Sequence, residues 1–253
     1  MPRLSVAIIT LNEALNIKRC IDSVNSFASE ILVVDSGSVD GTADMCEACG
    51  CRVLSRAFDG FASQKQFAVD NALYDWVFSI DADEVVSPEL EKELQEFAGT
   101  TIPGEELTVK GYYIPFVLHF MGRIIKHCGK GKNLRLFDRR HCRFNNVPVH
   151  ETIEVEGKPG TMKGRIIHYS YRDISHHLEK INFYSSRAAE GYHRKGKKFP
   201  LILLPFRLPA TFGIFYFRML GFLDGYPGFM WAFLAGIYST IKAAKTIELD
   251  KLK

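Results

Sequence analysis

No Gly-x-Gly-x-x-Gly follows the first apolar run of this 253-residue sequence, which excludes the fingerprint of a nicotinamide-dependent dehydrogenase. Low-complexity tracts and internal repeats are absent, so the whole chain is expected to fold. The N-terminal run Val6-Ala7-Ile8-Ile9 is too short for a secretory signal and leads directly into a strand, which predicts a cytoplasmic active region. Cysteine is sparse. Cys46, Cys49 and Cys51 lie close together, but Cys128 and Cys142 form no second Cys-x-x-Cys pair, a spacing that favours thiols over a zinc site. Long uncharged runs are also missing. None reaches the roughly 18–20 residues needed to cross a bilayer, and Pro200, Pro205, Pro209 and Pro227 interrupt the apolar C-terminal region.

What is present is unevenly distributed. Residues 1–100 carry 7 Lys+Arg against 17 Asp+Glu, residues 101–190 carry 15 against 9, and residues 191–253 carry 10 against 3. An acidic first part joined to a basic, aromatic last part implies separate tasks. Basic surface of this kind attracts phosphate or anionic lipid. The length suits one large domain, or one domain with an appendage.

Apolar periodicity predicts alternating elements along the first hundred residues. Strands are expected at 4–10, 30–35, 51–54 and 76–80, with helices over 14–27, 42–49 and 61–73 between them. Strand and helix in alternation imply a parallel sheet with crossover helices. Such sheets bind ligands beyond the carboxyl ends of their strands. Asn12 and Glu13, Asp35, and Asp81 and Asp83 all fall at such ends. An acidic helix over 86–97 follows, then strands at 111–120, 133–138, 152–156 and 164–170, and a basic, aromatic helix over 173–194.

Asp81-Ala82-Asp83 closes the apolar strand Trp76-Val77-Phe78-Ser79-Ile80. Two carboxylates one residue apart can hold a hard divalent cation whose shell is completed by phosphate oxygens. Asp83 is the first candidate for direct coordination. Asp81 would contact a ribose, a metal-bound water or the metal itself.

Three ordered blocks carry a resemblance. Ser5 to Glu13, Val33 to Thr42 (Val-Val-Asp-Ser-Gly-Ser-Val-Asp-Gly-Thr) and Ile80 to Glu84 together resemble family 2 glycosyltransferases of the GT-A fold. Asn133 to Phe137, Pro148-Val149-His150-Glu151, His168 to Tyr171 and Gly221 to Gly225 resemble the lipopolysaccharide-core β-glucosyltransferase-like branch. The resemblance implies an α/β, Rossmann-like, mixed but mainly parallel sheet flanked by helices, with a C-terminal helical membrane-associating extension. The catalytic domain would cover 1–190, its nucleotide-binding half 1–100 and its acceptor-binding half 101–190; the extension would cover 191–253.

On these residues the resemblance implies a donor pocket lined by Thr10, Asn12, Glu13, Asp35, Ser36, Gly37, Asp81 and Ala82, with Asp35 bonding the base. Lys65 and Gln64 would approach the nucleotide, unless Lys65 is a solvated helix cation. Arg135 would steady the diphosphate leaving group, while Arg139 and Arg140 read as a basic face. Glu151 is the candidate general base; the alternative is a strand-edge glutamate paired with Arg135 or Arg139. His168 would join Asp83 on Mg²⁺ or Mn²⁺, with His150 as a competitor. The implied reaction is an inverting transfer of a hexose, glucose above all, from a UDP-hexose to a membrane-anchored glycolipid such as lipopolysaccharide inner core. Polyprenyl phosphate or another lipid acceptor is one alternative; a non-catalytic nucleotide- or glycan-binding protein is another.

Cations border the apolar C-terminal runs, as in surface-bound helices. Residues 194–245 are therefore expected on the inner face of the cytoplasmic membrane, with no role for nucleic acid; the alternative is that these aromatics pack on the catalytic domain or form a dimer interface.

Overall fold

A computed structural model describes residues 3–100, 107–145 and 152–251. Leu4–Thr10 (β1), Glu30–Asp35 (β2), Arg52–Ser55 (β3) and Trp76–Asp81 (β4) alternate with Ile17–Val24 (α1), Thr42–Ala48 (α2) and Phe61–Asp70 (α3). β1, β2 and β4 are almost wholly buried, as strands covered on both faces must be. α1 buries Ile17, Cys20, Ile21 and Val24, one stripe at helical spacing. It starts three residues later than its apolar pattern predicts, because the Glu13 carbonyl accepts the Asn16 and Ile17 N–H groups in a turn that precedes the helix.

β5 (Glu84–Val86), α4 (Pro88–Thr100), β6 (Gly111–Phe120) and β7 (Arg123–Asp138) follow, then β8 (Cys142–Phe144), β9 (Ile153–Val155), β10 (Gly160–Thr161) and β11 (Ile166–His168). Among the described residues, nine strands form one sheet in the order β3-β2-β1-β4-β7-β6-β11-β5, with β10 on β6; β8 and β9 pair separately. β3, β2, β1 and β4 run parallel, β7 runs antiparallel to β4, and β11 antiparallel to β5. The sheet is mixed and mainly parallel on its first side, with flanking helices, as expected.

β7 begins ten residues before the predicted strand at 133. Its glycines serve close packing there. A Cβ at Gly131 would sit 2.7 Å from the Phe116 ring of the neighbouring strand. Met121 (φ 52°) and Gly122 (φ 76°) make the two-residue turn between β6 and β7. Gly164 leads into β11 so closely against α4 that a Cβ would lie 2.4 Å from the Leu90 backbone.

The chain divides into two compact units. The first is Met1–Phe116 with Gly131–His168; the second is Val117–Lys130 with Tyr169–Lys253. In the second, α5 (Ile174–Arg194) and α6 (Leu204–Gly213) both pack on α7 (Gly225–Lys251). Its core gathers Phe120, Ile125, Cys128, Ile181 and Leu234. A 3₁₀ turn Leu201–Leu203 opens α6 and a π-helical turn Ile214–Arg218 closes it. Pro205 stands in the first turn of α6, where a missing N–H costs nothing, and Pro209 stands inside the helix. The prolines therefore do not break the segment. Leu201–Arg218 is 18 residues of mean hydropathy 1.3 with none buried, long and apolar enough by length and composition to cross a membrane despite Arg207 and Arg218.

Candidate active site

In the strand order β3-β2-β1-β4 the chain moves outward from β1 and then returns to its other side, so the switch point lies between β1 and β4. Thr10 pairs with Asp35 across β1 and β2, and Ile9 with Asp81 across β1 and β4. The parallel register thus brings Thr10, Asp35 and Asp81 to one end of the sheet.

The loops after β1 and β2 are laced together. The Asn12 N–H donates to Ser38 Oγ (2.8 Å), Val39 N–H to Asn12 Oδ1 (2.9 Å), Glu13 N–H to Thr42 Oγ1 (2.9 Å) and Ala14 N–H to Asp40 Oδ2 (3.0 Å). Asn12 takes a left-handed conformation, φ 56°, which asparagine tolerates better than other side-chain-bearing residues. Asp35 is buried. Its Oδ2 accepts the Gly37 and Ser38 N–H groups at 2.9 and 2.8 Å, and its Oδ1 accepts the Ser38 hydroxyl at 2.5 Å. Gly37 closes this turn at φ 91°. Gln64, fully buried, donates from Nε2 to Ser36 Oγ and the Arg56 carbonyl, both at 3.1 Å. Among the described residues, Thr10 Oγ1 is buried without a hydrogen-bond partner. A buried hydroxyl left unpaired at a strand end is an unmet acceptor and donor.

The acidic motif is divided by its partners. Asp81 faces two cations, Lys65 Nζ at 2.9 Å on Oδ1 and Arg135 Nη2 at 2.9 Å on Oδ2. Burial raises its proton affinity, but Arg135 and Lys65 outweigh it and hold the carboxyl well below the usual carboxylate range. Lys65 is buried, not a solvated helix cation. Arg135 also donates to Glu84 Oε1 at 2.7 Å, and Glu84 Oε2 accepts the Asp81 N–H at 2.9 Å. Burial pushes the Glu84 proton affinity up, Arg135 opposes this, and Asp81 adds to it.

Asp83 turns elsewhere. Its Oδ2 lies 3.2 Å from His168 Nε2. β11 and β5 set this contact, since His168 pairs with Glu84 in register. Burial lowers the His168 proton affinity; the Asp83 bond and the Asp83, Glu84 and Asp81 charges override it and raise it.

Lys65, Asp81, Asp83, Glu84, Arg135 and His168 thus form one connected cluster. Arg139 does not join it: its Nη1 donates to the Val69, Asp70 and Ala72 carbonyls. Arg140 pairs with Asp138 at 2.6 Å. Glu151 and His150, the candidate base and the competing histidine, lie outside the described residues. Glu84 is the residue that pattern reading undervalued; its one signal is a third acid directly after a buried strand.

For a divalent cation, the described residues supply Asp83 and His168, an oxygen and an imidazole nitrogen that suit Mn²⁺ or Mg²⁺. Among them no group of three or more His, Cys, Asp or Glu side chains is arranged to hold a metal. Two protein donors fit a cation whose remaining ligands are diphosphate oxygens and water. Cys46 and Cys51 are buried free thiols and Cys49 an exposed one.

A 3-2-1-4 parallel half, a mixed second half that begins with β7 antiparallel to β4, and an Asp-x-Asp at the end of β4 define the GT-A class of fold. Residues 5–101 match the family described as Glycosyl transferase family 2. The lipopolysaccharide core biosynthesis glycosyltransferase LpsC of Rhizobium meliloti is 33% identical over 99% of this chain and 94% of its own length. An uncharacterised glycosyltransferase of Rickettsia typhi is 30% identical over 99% of this chain and 88% of its own. The chain belongs to the family 2 glycosyltransferases. A crystal structure of glucosyl-3-phosphoglycerate synthase from Mycobacterium tuberculosis, in complex with Mn²⁺, UDP and glucosyl-3-phosphoglycerate, overlaps 48% of this chain and 45% of that one, at 24% identity and TM-score 0.35.

Proposed function

We propose that this chain is an inverting hexosyltransferase that moves glucose from UDP-glucose to a membrane-anchored glycolipid, the lipopolysaccharide inner core, at the cytoplasmic face of the inner membrane. The observation that carries the reading is the strand-end cluster, in which Asp83 and His168 pair beside an Asp81 already neutralised by Lys65 and Arg135. The full-length relationship to a lipopolysaccharide core glycosyltransferase supports the acceptor class.

In this reading Thr10, Asn12, Glu13, Asp35, Ser36 and Gly37 line the nucleotide pocket. The rigid lacing of their loops presets it, so little ordering cost falls on binding. Lys65 and Arg135 hold Asp81 in position. Asp83 and His168 hold a divalent cation, which when bound neutralises charge on the leaving diphosphate. Glu151 takes the proton from the acceptor hydroxyl. The catalytic part covers 1–190 and the basic extension 191–253.

The test is a screen of nucleotide sugars with a defined inner-core acceptor, with and without Mn²⁺ or Mg²⁺. UDP-glucose is expected to be turned over in a cation-dependent way, and Glu151→Gln to lower kcat by at least about a hundredfold while leaving UDP binding intact. A folded protein that binds no UDP with either cation would refute the reading.

A further inference from the structure

The second unit exposes an aromatic surface that its own fold leaves uncovered. Tyr216 is a hub: its ring centroid lies 5.2 Å from Phe217, 6.2 Å from Phe222 and 5.8 Å from Phe229. Phe217 is 63% exposed and Leu223 57%, with Leu220, Phe222, Tyr226 and Phe229 also exposed. A contiguous apolar patch of this kind marks an interaction surface. The patch is held rigidly. The Asp224 carboxylate accepts the Lys126, His127 and Cys128 N–H groups at 2.9–3.1 Å and bonds His127 Nδ1 at 2.8 Å.

Charge identifies the occupant. Residues 191–223 carry six cations, Arg194, Lys195, Lys197, Lys198, Arg207 and Arg218, and no acidic residue. A second copy would bring two such basic borders together. An anionic lipid surface complements both the apolar patch and the basic border.

We propose that the tip of the α6–α7 hairpin wedges into one leaflet of an anionic bilayer and does not cross it. Leu201–Arg218 is 18 residues, about 27 Å of helix at 1.5 Å per residue, enough to cross a hydrocarbon core about 30 Å thick, but crossing would put Arg207 within that core and Arg218 at its far face. Arg207, the seventh of these 18 residues, donates to the Ser239 carbonyl at 3.3 Å and Ser239 Oγ at 3.4 Å and lies 4.6 Å from the Phe199 ring. Its charge is turned onto α7, which leaves the outer side of α6 apolar. Arg218 is exposed beside the aromatic tip, where a headgroup can meet it. A spanning segment would instead place Arg218 and the following chain across the membrane.

The proposal rests on the lipid-acceptor reading for its purpose but is tested without turnover. The full chain is floated with vesicles of phosphatidylcholine alone or mixed with phosphatidylglycerol. Binding is expected only to the mixed vesicles, weakening with salt. The exposed triple change Phe217→Ser/Phe222→Ser/Leu223→Ser should reduce partitioning about tenfold or more, and Lys197→Gln/Lys198→Gln about fivefold per charge, with melting temperature and UDP binding unchanged. Protease added outside proteoliposomes should remove tags at both termini. Protection of the C-terminal tag would show a span and overturn the wedge. So would a wild-type chain that stays in solution with anionic vesicles, as a monomer or as a dimer. Membrane binding without UDP binding would keep the wedge and remove the transferase reading.

Discussion

Arg135 is the residue on which the acidic cluster depends. Its guanidinium bridges Glu84, whose side chain is 2% exposed, and Asp81, and is itself 8% exposed. Replacing it by methionine keeps the length and removes the charge. Glu84 then remains buried beside Asp81 with no cation on it from Arg135. Breaking a buried pair from one side costs about 3–5 kcal/mol. For a chain of this size that lowers the melting temperature by roughly 10 °C. The loss should depend on pH in a definite direction. Glu84 has a folded-state proton affinity above its unfolded value, so it costs stability as pH rises through that range. Without Arg135 that affinity rises further. The deficit of Arg135→Met should therefore be largest near pH 8 and shrink by pH 5. Adding Glu84→Gln should recover about half of it, because the amide still accepts the Asp81 N–H. Urea and thermal melts of the three proteins at both pH values check this. A single variant that melts within a degree of wild type, or a deficit that is constant with pH, would show that the cluster is not held by this guanidinium.

Thr10→Val fills the same volume and removes an unpartnered hydroxyl, so melting temperature should hold or rise while UDP affinity, by isothermal titration, falls about fivefold to tenfold; unchanged affinity would take Thr10 out of the pocket. His177 is stacked on Tyr171 at 3.8 Å, and burial followed by the Lys180 charge pulls it down from 6.5 to about 4. Its folded value lies below its unfolded one, so the unfolded chain binds more protons between them and stability is lost as pH falls from 6.5 toward 4. The loss is about 3 kcal/mol at most, and His177→Phe should flatten this part of the acid limb in urea melts. Gly164→Ala drives a Cβ into the Leu90 backbone at 2.4 Å, which cannot swing aside; stability should fall by about 2 kcal/mol or more, read as a lower melting temperature.

The elements legible in the sequence are those whose pattern has one physical cause. β1, β2 and β4 are buried on both faces, so their apolar runs needed no partner to be read. Their ends point to Asn12 and Glu13, Asp35, and Asp81 and Asp83 as neighbours, and the register brings Asp35 and Asp81 to one end of the sheet. What pattern could not show depends on distant partners. Lys65 reads as either a nucleotide ligand or a solvated helix cation, because its partner Asp81 is sixteen residues away on another element. β5 is three residues long and begins with a charge, and Glu84 is buried only because Arg135 arrives from β7. The first ten residues of β7 mix lysines and glycines that resemble a loop. Gly131 is in fact required by the Phe116 ring pressed against it. The charges and prolines of the apolar stretch at 201–218 read as interruptions, yet Arg207 turns inward and Pro205 occupies a first turn, so the helix persists.

The partners of the three acids also explain why two carboxylates one residue apart need not share a task. Lys65 and Arg135 bring two positive charges to Asp81 and Glu84. Asp81 and Glu84 meet those cations directly, whereas Asp83 faces His168. On the proposed reading, one carboxylate and one imidazole are too few protein ligands to hold a bare divalent cation firmly, and a carboxylate repels a bare diphosphate. Cation and diphosphate together remove both objections. Each would then raise the affinity of the other by the same factor, as linkage requires, and the arrangement around Asp83 would be selective for the pair over either alone.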